Sequence, residues 1–171
     1  MIPIITEEYI FEMAKLTKKY ASTQFGDFGE FIYFSHKNST HGPRIKFYGG
    51  TKETSKTHNA PTISFDINGN TKLEDLGSLN KKNCPNAFDK EYLSKVNKFI
   101  RRTLPILLLV WFDKLDEADA LEYFKGNLTL EEIISCIYDV DDNVIEDLKT
   151  SETLKDLHNK CLNYNLYHEG R

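Results

Sequence analysis

Along residues 6–20, apolar side chains fall at Tyr9, Ile10, Met13, Leu16 and Tyr20, a three-to-four spacing that predicts a helix. Thr6 suits its N-cap, and Lys18 and Lys19 suit its C-terminal end. The pattern then changes to alternation in aromatic and β-branched residues, which predicts strands over 28–35, 44–49 ("RIKFYG") and 61–67 ("PTISFDI"). "NGN" at 68–70 predicts a type I′ hairpin turn, since Asn-Gly accepts the positive φ values that turn requires, and a short fourth strand is expected over 71–74.

From Asp89 onward the period lengthens again. Leu93, Val96, Ile100, Thr103, Leu104, Leu107 and Trp111 recur at helical steps. Pro105 cannot donate to the carbonyl of Arg101, so a kink is expected near Thr103. A second helix, within "DEADALEYFKGN", should stop at Gly126 and Asn127. Thr129 and Glu132 have capping-box spacing ahead of "LTLEEIISCIYDV", and two further helices are expected over 141–149 and 151–163.

These elements predict an α+β fold: an N-terminal helix, a three- to four-stranded antiparallel meander packed on a long kinked helix, and additional C-terminal helices. Residues 1–126 are expected to form the α+β domain, and 127–171 an acidic helical extension. Alternation assigns Ile45, Phe47, Ile63, Phe65 and Ile67 to the inner face of the sheet. Arg44, Lys46 and Tyr48, with Thr62, Ser64 and Asp66, then face outward.

Composition narrows the function classes. With 40% hydrophobic and 12% aromatic residues the chain can build a core. A formal net charge of -4 argues against non-specific coating of nucleic acid. Residues 1–60 carry 8 Lys/Arg against 6 Asp/Glu, whereas residues 129–171 carry 4 against 10, so the charge is polarised. Cys84, Cys136 and Cys161 are widely spaced, an odd count that fits a reduced compartment. "IPIITEEY" after Met1 lacks the features of a signal peptide, and "LPILLLVWF" is less than half a membrane crossing. A soluble cytoplasmic protein is expected, with no membrane partner. Zinc motif, P-loop and dinucleotide fingerprint are all missing, so neither a cofactor nor a metal is expected.

Two groups of side chains are candidates for chemistry. Arg44, Lys46, Tyr48, Ser64 and Asp66 combine cations, a ring, a hydroxyl and a carboxylate on one face, a set able to bind phosphate or a single-stranded nucleic acid. A solvated sheet face of the same composition is the more ordinary reading. His36 and His41 bracket the turn in "FSHKNSTHGPRIKFYGG". Two imidazoles beside one phosphodiester can act as general base and general acid, and Arg44 and Lys46 would hold the phosphate. A passive polar turn is the stronger expectation, with a binding role next and catalysis last. His58 matches no standard metal spacing with them. The carboxylates Asp113, Asp116, Glu117 and Asp119, and the acidic run from Glu131 to Asp147, read as solvated helix faces, with cation binding or phosphate mimicry as the sharper alternatives.

"IYFSHKNSTHGPRIKFYGG", "ISFDINGN" and "YLSKVNKFIRRTLPILLLVWFDKL" together resemble a small bacterial family with a strand-turn pattern like D-H-x-P-P-H-x-H-V, a hairpin and a Trp-containing helix. The resemblance covers about residues 28–125. The Pro-Pro pair is missing, and Arg44 stands about where the pattern's last histidine would be. Members are often encoded in two-gene units like toxin–antitoxin pairs. The resemblance therefore implies a small prokaryotic or phage protein that works by binding, with a protein partner expected and RNA possible. A metal-independent RNA-cleaving enzyme using His36 and His41, and an acidic nucleic-acid-mimicking inhibitor, are the alternatives; catalysis is the weaker expectation.

Overall fold

The computed structural model describes residues 13–16, 32–35, 42–47, 61–75 and 89–168. Among these residues five short strands, β1 (Met13–Leu16), β2 (Ile32–Ser35), β3 (Arg44–Phe47), β4 (Thr62–Phe65) and β5 (Thr71–Asp75), form one antiparallel sheet in sequence order. Five helices follow among the described residues: α1 (Lys90–Trp111), α2 (Glu117–Phe124), α3 (Leu130–Ser135), α4 (Asp142–Leu148) and α5 (Leu154–Asn163). The fold is α+β, an antiparallel meander against a long helix.

Met13–Leu16 departs from the helix expected over 6–20. These four residues are β1, paired antiparallel with β2 from Met13 opposite Ser35 to Leu16 opposite Ile32. Met, Ala, Lys and Leu are good helix formers, but propensity is a weak prior and a sheet edge offers the backbone non-local partners. The rest of the predicted helix lies outside the described residues.

The β4–β5 hairpin forms as expected, with a different turn. The N–H of Gly69 donates to the Asp66 carbonyl (2.9 Å), and that of Asp66 to the Asn70 carbonyl (3.1 Å). Gly69 has φ +80°, whereas Asn68 is not among the positive-φ residues, so the loop is three residues long with its left-handed position at Gly69. A Cβ on Gly69 would also stand 3.4 Å from Leu104, so the turn sits close against α1. Ile67, expected in the core, becomes a turn residue and is 38% exposed.

Asp89 caps α1 by accepting the N–H of Glu91 (3.0 Å). The helix passes Pro105 as one element. Pro105 has no N–H for the ladder, and Thr103 Oγ1 donates to the Phe99 carbonyl (2.6 Å); both devices bend helices. Every residue from Thr103 to Val110 is buried, because the sheet and α2 lie on one side of the helix and α5 runs along another. Trp111, expected in the core, is only half-buried. Phe124 on α2 joins the layers, edge-on to Phe34 of β2 (5.5 Å) and to Phe99 of α1 (5.6 Å). Ile133, Ile134, Leu148, Leu157, Cys161 and Tyr167 belong to the same apolar cluster as the sheet, so residues after 127 share the core of those before it.

Candidate functional site

Strand alternation gives the sheet two unlike faces. Phe34, Ile45, Phe47, Ile63 and Phe65 point to α1 and α2 and are buried. On the other face, Arg44 stands opposite Ser64, Ser64 opposite Lys72, and Lys46 between Tyr33 and Thr62. The N–H of Phe65 donates to the Pro43 carbonyl and that of Phe47 to the Pro61 carbonyl, both at 3.1 Å. The intervening pairs, Arg44 with Ser64 and Lys46 with Thr62, are therefore the non-hydrogen-bonded pairs, whose side chains approach closest.

This face is not the open wet surface that alternation alone suggests. Tyr33, Ser35 and Thr62 are buried at 0%, 3% and 3% exposure. Arg44, Lys46 and Ser64 are half-buried, and Lys72 is exposed. The hydroxyl of Thr62 has no hydrogen-bond partner among the described residues.

Ser35 fixes the base of the hairpin loop. Its Oγ accepts the N–H of Arg44 (3.0 Å) and donates to the Arg44 carbonyl (3.0 Å), so a side chain anchors Arg44 to β2. Asp66 is differently occupied. Its carboxylate accepts Asn70 Nδ2 (3.0 Å), the N–H of Asn70 (3.0 Å) and that of Asn68 (2.8 Å), and these bonds, led by the Asn70 side chain, hold it below the usual carboxylate range. Asp66 is a turn-forming group, and of the five predicted binding residues the structure brings together Arg44, Lys46 and Ser64. Tyr48, the candidate catalytic pair His36 and His41, and His58 lie outside the described residues. Sequence reasoning missed Lys72, whose place opposite Ser64 follows only once the hairpin register is known.

Elsewhere, chemistry-bearing side chains serve the fold. Asp113 and Asp139 take left-handed conformations, φ +58° and +57°. The hydroxyl of Tyr138 donates to Asp113, and the buried Lys114 reaches Asp139 with its ammonium (3.5 Å). Asp119 is raised by burial and by the charges of Asp116 and Glu122. No group of three or more His, Cys, Asp or Glu side chains among the described residues is arranged to hold a metal ion. Cys136 and Cys161 are free thiols; burial pushes Cys161 up to about 11.

One polar contact lies near the end of the described fold: Tyr167 Oη is 2.8 Å from His158 Nδ1, with the two rings 5.4 Å apart. Burial lowers His158 below its ordinary value, favouring the neutral ring.

No family model matches the chain, and neither a curated protein nor a solved structure matches it. Among the described residues no helix is long and apolar enough to cross a membrane.

Proposed function

We propose that this is a small binding protein, prokaryotic or phage-borne, that acts through a macromolecular partner in the toxin–antitoxin-like or defence setting implied by its family resemblance. The observation that carries this reading is the outward face of the sheet. Arg44, Lys46, Ser64 and Lys72 share one side of the strands, and no ion pair joins Arg44 or Lys72 to a described carboxylate. Arg44 and Lys72, without a carboxylate partner among the described residues, are available to a partner's negative groups. The phosphate-mimic alternative gains less support, because the acidic helices spend several carboxylates internally. Asp141 and Glu132 accept N–H groups at helix starts, and Glu146 and Asp147 pair with Lys149 and Lys160.

The test is capture of the tagged full chain from its native host, with and without RNase, read by mass spectrometry and RNA sequencing. Stoichiometric enrichment of a protein or an RNA supports the binding reading. Purified protein that turns over RNA in EDTA, and loses that activity on His41→Ala, would overturn it in favour of catalysis.

A further inference from the structure

Resting on that binding reading, we propose that the row formed by Arg44, Ser64 and Lys72, with Thr62 beside it, holds the phosphodiester backbone of a single-stranded nucleic acid. Every group in the row can donate. Arg44 presents a guanidinium fork, Lys72 an ammonium two strands away, and Ser64 a hydroxyl between them. The backbone of Arg44 is additionally held in place, because Ser35 bonds both its N–H and its carbonyl. A row of donors matches an oxyanion that accepts from several sides.

Among the described residues, carboxylates border this row at its two ends. Asp66 lies two residues beyond Ser64, and its oxygens are taken by Asn68 and Asn70. At the other end the register of β4 and β5 shifts between Thr62 and Ile63, and Asp75 is the residue opposite Thr62. The residue opposite Ser64 on β5 is Lys72, so no described carboxylate faces Ser64 directly. Thr62 adds an independent sign: it is 3% exposed, lies on the same side as Ser64, and its hydroxyl has no partner among the described residues. A buried hydroxyl left without a bond disfavours the free state, and a bound phosphate oxygen would supply that bond.

The same face is poorly made for a protein. Protein interfaces bind through buried aromatic or aliphatic anchors at their centre. The aromatic on this face among the described residues, Tyr33, is fully buried, and the large exposed apolar residues Ile67, Leu162 and Tyr164 lie elsewhere. A sheet surface also suits a single strand laid across it better than a duplex groove. Because the described face offers donors rather than an exposed ring, the contact is to the backbone and indifferent to sequence.

Fluorescence anisotropy with oligouridylate and oligothymidylate of about 20 nucleotides tests this directly. Two phosphate contacts predict a slope of roughly -1.4 in log affinity against log salt, or about a sevenfold loss between ~50 and ~200 mM. Arg44→Gln with Lys72→Gln should weaken binding by about tenfold or more at low salt and flatten that slope. Lys72→Glu alone, on an exposed strand position, should weaken it without altering the melting temperature. Thr62→Val should weaken it while stability stays equal or rises, a combination that a structural role would not give. Lys155→Gln on α5 should change nothing. The proposal is overturned if neither oligonucleotide binds at ~50 mM salt, or if the double variant binds as the parent does. A captured protein whose retention needs Arg44 and Lys72 would also overturn it while leaving the binding reading intact; loss of every partner would remove both.

Discussion

In the helices after Leu130 the acidic side chains have local work. Glu132 closes a capping box with Thr129, Asp141 caps α4, Asp147 accepts the hydroxyl of Tyr164 (2.7 Å), and Asp139 pairs with the buried Lys114. On the outward face of the sheet, Arg44 and Lys72 have no such carboxylate partner among the described residues. The acidic region holds the larger excess of charge, yet the cationic row is the better candidate for contact with another molecule. Net charge measures how many ionised groups a segment carries; function depends on which of them the fold has left unspent. Helix starts consume carboxylates because their first N–H groups need acceptors. A sheet satisfies its own backbone across strands, so side chains on its outer face remain available.

That contrast is drawn within one core, and the largest expected effect tests this. Phe124 touches both Phe34 and Phe99, so Phe124→Ala removes the ring joining sheet to helices. A loss of about 3–5 kcal/mol is expected in urea unfolding. Far-ultraviolet dichroism and tyrosine fluorescence should still report one coincident transition. Two separated transitions would mean that the acidic helices and the sheet are independent units, and the comparison would then be between two domains.

Next in size is the contact between Tyr167 and His158. Tyr167→Phe leaves His158 Nδ1 without its hydrogen-bond partner, a cost of about 1–3 kcal/mol. The pair also carries a pH signature. His158 is depressed in the folded state, so the unfolded chain binds the proton more readily. The stabilisation is complete above the ordinary histidine value of 6.5 and is lost as pH falls from there through the folded value. Melting temperature should therefore decline as pH drops below 6.5, before most carboxylates titrate, and His158→Asn should flatten that decline. An unchanged profile in His158→Asn would assign the decline to other groups.

The elements legible in the sequence were those fixed by neighbours. Asp89 at the start of α1, Thr129 with Glu132, and Gly126 after α2 act within one turn of chain, and all three stand where spacing put them. What failed was decided at a distance. Met13–Leu16 has helical composition and becomes a strand because β2 offers it a ladder. Ile67 continues an alternating pattern, but the three-residue turn takes it out of the strand. The outward face of the sheet shows both behaviours: alternation put Arg44, Lys46 and Ser64 on one side, whereas Lys72 needed the register and Asp66 needed its hydrogen bonds. The bond between His158 and Tyr167, nine residues apart, left no local pattern at all.

A smaller effect is expected at α3. Thr129→Ala removes one half of the capping box, in which Thr129 Oγ1 accepts the N–H of Glu132 (3.1 Å) and Glu132 accepts that of Thr129 (3.0 Å). About 1 kcal/mol should be lost, with Thr129→Ser recovering most of it. A variant as stable as the parent would remove one of the clearest cases in which the acidic region spends charge on its own structure.

The smallest effect separates the two regions most sharply. Lys149 and Glu146 form an i,i+3 pair at 3.3 Å, with Glu146 largely exposed, and Lys72 lies on the sheet with no described carboxylate partner. A double-mutant cycle on Lys149→Met and Glu146→Gln should give a coupling of about 0.2–0.5 kcal/mol, falling with salt. Lys72→Gln should change stability by less than that, because nothing in the described fold is lost with its charge. The two lysines are thus nearly equivalent to a thermometer. They differ in a binding assay, where Lys149→Met should be silent and Lys72→Gln should not. Coupling above ~1 kcal/mol at Lys149 would mean that the helical surface is electrostatically tighter than its exposure implies. A stability loss of that size at Lys72 would show its charge already committed within the protein, and the claim that the sheet keeps its cations for a partner would fail.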